Sequence, residues 1–413
     1  MRLLFVDSSR HGWGTEQHFV ELVTELHRAG HNLQVVVRRG SGVDLLLEQR
    51  GIPRHSTPFR GGGDPRGLWR VAQVARRFSP DWIITSRAKL YWPMVIMGLW
   101  LGVKVALFRH LTYFKHWHER KLLPRLADRF YVVSEFGRDV LAAEGVPADR
   151  LIPLYNPIDV VRFAPLEAEE RARRRAALGF RPSDVLAGFA GRMEQSKGLI
   201  PLREALSTAM TRQPDLHMVW IGDGAERAAT ESFVQDSGHR ARHRFLGWQT
   251  EIEKFMPLLD FLVVPSLAPE TFGRVAAEAQ ACGVPVIVSA AGGLVEALAP
   301  GRTGVLLGAP VDSTRVCGAI ESLARDPELR ARFGAAGVEF VRSRFAAERI
   351  AAAFVENLRR APFALPMWEF AREPVGPPVW EPARAPVGPP VWEPAREAVA
   401  PPGSVISHIP LGN

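Results

Sequence analysis

Two glutamates stand eight residues apart in the run Pro265-Ser266-Leu267-Ala268-Pro269-Glu270-Thr271-Phe272-Gly273-Arg274-Val275-Ala276-Ala277-Glu278. The preceding segment, Phe261-Leu262-Val263-Val264, reads as a buried strand from its unbroken apolar character. Val275, Ala276, Ala279 and Ala281 then recur with helical spacing, so a helix begins near Gly273. Glu270 therefore falls on the loop before that helix, and Glu278 about two turns inside it. Between them lie the free amides of a helix N-terminus, which suit phosphate. An acid at each end of a phosphate site fits a ligand with hydroxyls on both sides of a diphosphate. A nucleotide sugar has that shape.

Other residues extend the chemistry. Gly191-Arg192 and Lys197-Gly198 follow the apolar strand Val185–Ala190, which puts two cations at a strand's carboxyl end. Such a pair can neutralise a leaving diphosphate, where charge develops as a sugar–phosphate bond breaks. The chain has no Asp-x-Asp sequence to hold a metal for that purpose, so Arg192 and Lys197 are expected to serve without one. His110 ends the strand-like segment Val103–Phe108, within Phe108-Arg109-His110. Gly12-Trp13-Gly14-Thr15-Glu16 joins the first strand to the first helix, and glycines there let backbone approach a diphosphate or an acceptor. As a dinucleotide fingerprint this loop is poor, because Gln17 occupies the third glycine position. The second strand ends in Arg38-Arg39, which would suit NADP, so an NADP oxidoreductase stands as an alternative, as does an inactive binder of sugar nucleotides. His116 and His118 lack a third ligand at metal-site spacing and read as part of a basic, aromatic loop.

Positioning these residues requires an α/β framework. Apolar strands are expected at Leu3–Val6, Leu33–Val37, Trp82–Thr85, Val103–Phe108, Phe130–Val133 and Leu151–Leu154 in the first half. Six more are expected at Val185–Ala190, Met218–Ile221, Arg244–Leu246, Phe261–Val264, Val286–Val288 and Gly304–Leu306. Helical segments such as Glu16–Ala29 and Arg66–Arg77 alternate with them. The pattern predicts two Rossmann-like, doubly wound parallel sheets, covering residues 1–165 and 166–345, with ligands at the carboxyl ends of the strands. The break falls at Asn156-Pro157-Ile158-Asp159 and the charged stretch after it. Beyond residue 361 a twelve-residue repeat carries Trp368-Glu369, Trp380-Glu381-Pro382 and Trp392-Glu393-Pro394. This proline-rich tail, 361–413, is expected to build no core. It reads either as a docking motif for a protein partner or as a neutral expansion.

Composition sets further bounds. The 413 residues, 46% hydrophobic, suffice for two ordinary cores and an appendage. Cys282 and Cys317 are too few for a disulfide framework or a metal cluster. The chain opens directly on a strand, so a signal peptide is not expected and a cytoplasmic location is. Residues 1–165 hold 24 Lys and Arg against 15 Asp and Glu, whereas the remainder holds 28 against 29. A basic first half points to an anionic membrane surface or a charged acceptor. Nucleic acid is not expected, because no recognised binding motif is present. Leu90–Phe108 imitates a membrane span, but Pro93, Gly98, Gly102 and Lys104 interrupt it; a helix to about Leu101 followed by a strand is the better reading.

Taken together, the motifs resemble the retaining glycosyltransferases of family 4, which have the GT-B fold. The resemblance runs from Met1 to about Arg360 and rests on the Glu-x7-Glu run, Gly188–Arg192 with Lys197-Gly198, Trp220–Gly224, Phe245–Trp248, Cys282–Ile287, Gly292–Glu296 and Gly301–Gly304. It implies that Glu278 clamps the ribose hydroxyls, Glu270 contacts the transferred sugar, and Phe272, Gly273 and Arg274 supply backbone amides. Arg274 departs from the family's usual residue and could reach phosphates or acceptor. The Gly247-Trp248 segment lies where the family holds the base, with Trp248 either stacked on it or buried. His110 matches a histidine near the reacting sugar, and Gly14 and Thr15 lie in the loop matching the family's Gly-Gly-x-Glu. The resemblance further implies a final helix, 346–360, returning to the first domain. The activity it implies is metal-independent, retaining transfer from a nucleoside-diphosphate sugar; the basic, aromatic first half points to a hydroxyl of a lipid-linked cell-envelope glycan as acceptor, with a soluble metabolite as the alternative.

Overall fold

In the computed structural model, residues 1–10 and 14–360 are described, and the repeat tail lies outside them. Short apolar segments separated by amphipathic helices cannot pair as hairpins, so successive strands run parallel through helical crossovers. Seven strands form the first sheet: β1 (Arg2–Asp7), β2 (Asn32–Arg38), β3 (His55–Thr57), β4 (Trp82–Thr85), β5 (Lys104–Arg109), β6 (Arg129–Val132) and β7 (Leu151–Pro153), in the order β3-β2-β1-β4-β5-β6-β7. Six form the second: β8 (Val185–Ala190), β9 (Leu216–Ile221), β10 (His243–Gly247), β11 (Phe261–Val264), β12 (Val286–Ser289) and β13 (Gly304–Leu307), in the order β10-β9-β8-β11-β12-β13. All pairings are parallel.

Both faces of each sheet are covered. In β1, Leu3 and Phe5 point into one apolar cluster and Leu4 and Val6 into another, as the two-residue period of a strand requires. The first of these clusters is completed from far along the chain. Helix Ala347–Arg359 lays Ile350, Phe354 and Leu358 against Leu3, Phe5, Phe108 and Tyr131. It gets there beside the other crossover: the Ile158 amide donates to the Phe345 carbonyl at 2.8 Å, and the Ala347 amide to the Ile158 carbonyl at 2.9 Å.

Strand order reverses between β1 and β4 and again between β8 and β11. At such switch points neighbouring connections leave on opposite faces of the sheet and open a crevice beyond the strand ends. The loops after β1, β4, β8 and β11 are therefore the ones placed to hold a ligand. The first helix begins at Gly14, so Gly14 and Thr15 form its opening turn rather than the loop before it. The apolar run read as a helix followed by a strand is helix Tyr91–Leu101 followed by β5. Among the described residues no helix is long and apolar enough to cross a membrane.

Candidate active site

On the second sheet the loop after β8 abuts the loop after β11. Gly198 permits this: its φ is +72°, and a Cβ there would stand 2.0 Å from the Pro265 carbonyl oxygen. The Leu267 amide donates to the Ser196 carbonyl at 2.8 Å and ties the loops together. The result brings Lys197 Nζ to 3.0 Å from Glu270 Oε1. The Ser266 hydroxyl also donates to that carboxylate oxygen. Arg192 lies on the same loop but pairs with Glu194 at 2.7 Å, its side chain 58% exposed. The two cations thus share a loop without sharing a partner.

Helix Arg274–Ala281 follows at once. Its N-cap, Gly273, adopts φ +99° and offers no side chain to the first amides, so that turn has no side-chain cap. Phe272 is buried against Tyr155 and Phe345, at 5.6 and 5.0 Å between ring centroids, so its side chain belongs to the core. Trp248, just past β10, is 47% exposed and not a core residue.

Arg274 does not reach outward from its helix. Its Nε donates to Glu278 Oε1 at 2.7 Å, Nη1 donates to the Pro157 carbonyl at 3.3 Å, and Nη2 stands 3.8 Å from Glu21 Oε1. Glu21 belongs to the first helix of the first sheet, and Arg50 grips it through two bonds of 2.9 Å. Arg162 adds a contact of 3.6 Å to Glu21 and one of 2.7 Å to Glu253. A largely buried ionic network therefore spans both sheets, with Glu21 meeting three arginines at its centre and Arg274 linking it to Glu278. Burial raises the pKa of Glu278, and the Arg274 guanidinium works against that rise.

The opposite wall comes from the first sheet. His110, past the end of β5, lies 4.8 Å from the ring of His18 on the first helix, centroid to centroid. His18 Nδ1 is 2.9 Å from Asn156 Oδ1; the amide oxygen accepts, so Nδ1 carries the hydrogen. Burial lowers the His18 pKa to about 3, with the Asn156 bond opposing and the Arg274 charge reinforcing the fall. Burial, then His18 and Arg109, also hold His110 well below the usual imidazole range. Both rings are thus neutral, and both Nε2 atoms are buried without a partner. Arg87, after β4, pairs with Glu16 at 2.7 Å. Arg109, beside His110, donates to the Tyr113 carbonyl and lies over the Phe114 ring.

The two walls also meet through Glu296. Its carboxylate accepts the Glu135 and Phe136 amides at 2.9 and 2.7 Å, and the Tyr155 hydroxyl at 2.9 Å. It caps helix Glu135–Ala143 of the first sheet from the second. Of the residues that the sequence offered, Lys197 and Glu270 meet directly, Glu278 meets Arg274, and His110 lies against His18. His18, Glu21, Asn156 and Arg162 were not expected beside them, because only the packing of the first helix near helix Arg274–Ala281 brings them together. Among the described residues no group of three or more His, Cys, Asp or Glu is placed to hold a metal.

Two parallel sheets joined across a cleft, each offering its switch-point loops, form the GT-B architecture of glycosyltransferases. Residues 13–162 match the model for Glycosyltransferase Family 4 and residues 170–340 that for Glycosyl transferases group 1. A lipopolysaccharide core biosynthesis glycosyltransferase, LpsD of Rhizobium meliloti, is 28% identical over 369 residues, covering 87% of this chain and 98% of LpsD. A D-inositol 3-phosphate glycosyltransferase of Paenarthrobacter aurescens is 32% identical over 236 residues, spanning 56% of this chain and about half of that relative, 54%. HepE of Anabaena, solved with UDP, superposes with a TM-score of 0.75 at 23% identity over 87% of this chain and 99% of HepE. The chain belongs to this glycosyltransferase family and is an enzyme of that class. The NADP reading of Arg38-Arg39 falls with that finding.

Proposed function

We propose that this enzyme moves a sugar from a nucleoside diphosphate to a hydroxyl of a lipid-linked cell-envelope glycan, with retention at the anomeric carbon and without a metal. The observation that carries this reading is the Lys197–Glu270 pair beside the uncapped N-terminus of helix Arg274–Ala281. A cation, an acid and uncapped amides on adjoining loops match a diphosphate joined to a sugar. The role of the similar LpsD in lipopolysaccharide core biosynthesis supports the envelope assignment.

In this reading the diphosphate lies on the amides of Gly273 and Arg274, and Lys197 stabilises its leaving oxygen. Arg192 joins it at small cost, because its exposed pair with Glu194 contributes at most about 1 kcal/mol. Glu270 holds hydroxyls of the transferred sugar, Glu278 holds those of the ribose, and Trp248 covers the base. The bond from the anomeric carbon to the diphosphate breaks, and the acceptor oxygen bonds to that carbon on the same face. The acceptor proton passes to the departing phosphate oxygen. His110, neutral, hydrogen-bonds the sugar rather than removing that proton. Gly14 and Thr15, at the start of the first helix, approach the donor from the other sheet.

A donor screen by product mass, with NMR assignment of the anomer formed and a parallel arm in excess EDTA, tests the proposal. Retention of configuration and full turnover in EDTA are expected. An inverted product, or activity that vanishes in EDTA and returns only with a divalent cation, overturns the mechanism.

A further inference from the structure

The open edge of the first sheet carries a second cavity, of about 670 Å³, at the carboxyl ends of β2 and β3. Arg39, Arg66 and Arg70 line it with Thr57, Pro58 and Trp69. No carboxylate is among the lining residues. The acids of the flanking loops are committed elsewhere. Asp44 takes Arg54 at 2.6 Å and the Ser56 hydroxyl at 2.7 Å, and Asp64 caps helix Pro65–Phe78 by accepting the Arg66 amide. Arg39 and Arg66 form no ion pair among the described residues, and Arg70 donates only to Gln73, at 3.1 Å. Three arginines lining one cavity without an ion-paired acid repel one another, and an anion among them relieves that repulsion. Trp69 stands among them 63% exposed. An indole left in water presents a flat apolar face, which the C–H face of a pyranose ring can cover. A smaller cavity of about 270 Å³ shares Arg70 and adds His55 and Arg77, so the basic groove continues along the β3 edge.

Location ties the groove to the reaction. It opens at the same ends of the strands as the first helix and His110. β3 lies two places from β1 in the sheet, about 10 Å at the usual strand spacing. A saccharide held there reaches the cleft with its next sugar units.

Resting on the transferase reading above, we infer that this groove is an acceptor subsite for an anionic sugar, phosphorylated or carboxylated, with its ring on Trp69 and its charge among Arg39, Arg66 and Arg70. The test uses the full chain and four probes: glucose 6-phosphate, glucuronate, glucose and inorganic phosphate. The Trp69 indole NMR signal, assigned by its loss in Trp69→Phe, reports binding. Saturable shifts with both anionic sugars are expected, no saturable shift with glucose, and a weaker effect from phosphate, which has no ring to stack. The double variant Arg66→Gln/Arg70→Gln loses at least about tenfold in affinity for the anionic sugars, since each charge-assisted bond removed is among the strong ones. UDP titration in the same samples reads the donor side: binding unchanged in the double variant shows an intact fold, and absence of UDP binding in the parent chain counts against UDP as donor without touching this inference. Glucose shifting Trp69 as strongly as glucose 6-phosphate, phosphate alone matching the sugar phosphates, or anionic sugars failing to shift Trp69 or binding the double variant undiminished would each overturn it.

Discussion

Glu278 and Arg274 carry the sharpest consequences at the scale of single residues. Glu278 is buried, and the Arg274 guanidinium donates to its carboxylate. If it clamps hydroxyls of the donor, Glu278→Ala should weaken donor binding by about tenfold or more, because hydrogen bonds to a charged group contribute roughly 1.5–3 kcal/mol; unchanged affinity in titration calorimetry removes the role. The raised pKa of Glu278 gives the second expectation its sign. The clamp accepts bonds best when ionised, so donor affinity falls as pH drops through that elevated value. In Arg274→Met the main opposing charge is lost, only Arg162 still counters burial and the Glu21 charge, and the fall begins at higher pH. A variant whose affinity profile overlays that of the parent refutes the coupling. For the folded chain the same shift has the opposite consequence. With its pKa above the unfolded value, Glu278 makes the empty protein less stable as pH rises through the interval between them. Much of this was legible in sequence: the Glu-x7-Glu spacing located both acids, and Gly198 and Gly273 sit where their backbones demand glycine. The turn of Arg274 onto Glu278 and Glu21 was not, because Glu21 lies more than two hundred and fifty residues earlier and meets it only through packing.

Among the elements, the final helix does more than end the fold. Phe354 is fully buried between Phe5, Phe108 and Tyr131, with ring centroids 6.4, 5.5 and 5.4 Å away. Phe354→Ala should cost about 3–5 kcal/mol, read as a melting temperature lowered by several degrees for the unit that contains the first sheet. A melting curve that does not move would mean the helix is dispensable to that core. The strands were readable wherever they are apolar and buried on both faces, as Val286–Ser289 and Trp82–Thr85 are. His55–Thr57 escaped because it has three residues, none of them aliphatic, and lies at the sheet edge where only one neighbour supports it. The start of the first helix was placed late for a related reason. Glycine is a poor helix former, so Gly14 reads as loop, yet the crevice beside β1 begins the helix there.

At the scale of the whole molecule, charge and apolar surface coincide on one side of the first sheet. Helix Tyr91–Leu101 is apolar throughout yet leaves Ile96, Leu99 and Trp100 about 60% exposed. Ile96 and Trp100 line an apolar cavity of about 390 Å³ with Leu68, Trp92, Pro93 and Met97, and Trp117 nearby in the chain is 68% exposed. Soluble surfaces rarely gather so many large apolar side chains unless something covers them. Basic residues frame the patch. The Arg76 guanidinium stands 4.4 Å over the Trp100 ring, and Arg77, Lys115, Arg120 and Lys121 lie on the adjoining segments. An anionic leaflet answers both features, with interfacial tryptophans at headgroup level and about 1 kcal/mol from each basic residue near the surface. Leu68, which faces the apolar cavity, immediately precedes Trp69 of the arginine groove, so one helix would place a lipid anchor and its sugars on neighbouring faces. Sedimentation with vesicles of anionic and of neutral lipid separates the contributions. Binding to anionic vesicles at low salt should fall as salt screens the arginines, and Ile96→Glu/Trp100→Glu should abolish it while leaving UDP binding intact. If the parent chain ignores anionic vesicles even at low salt, the patch does not meet a membrane, and a soluble acceptor becomes the better reading of the site.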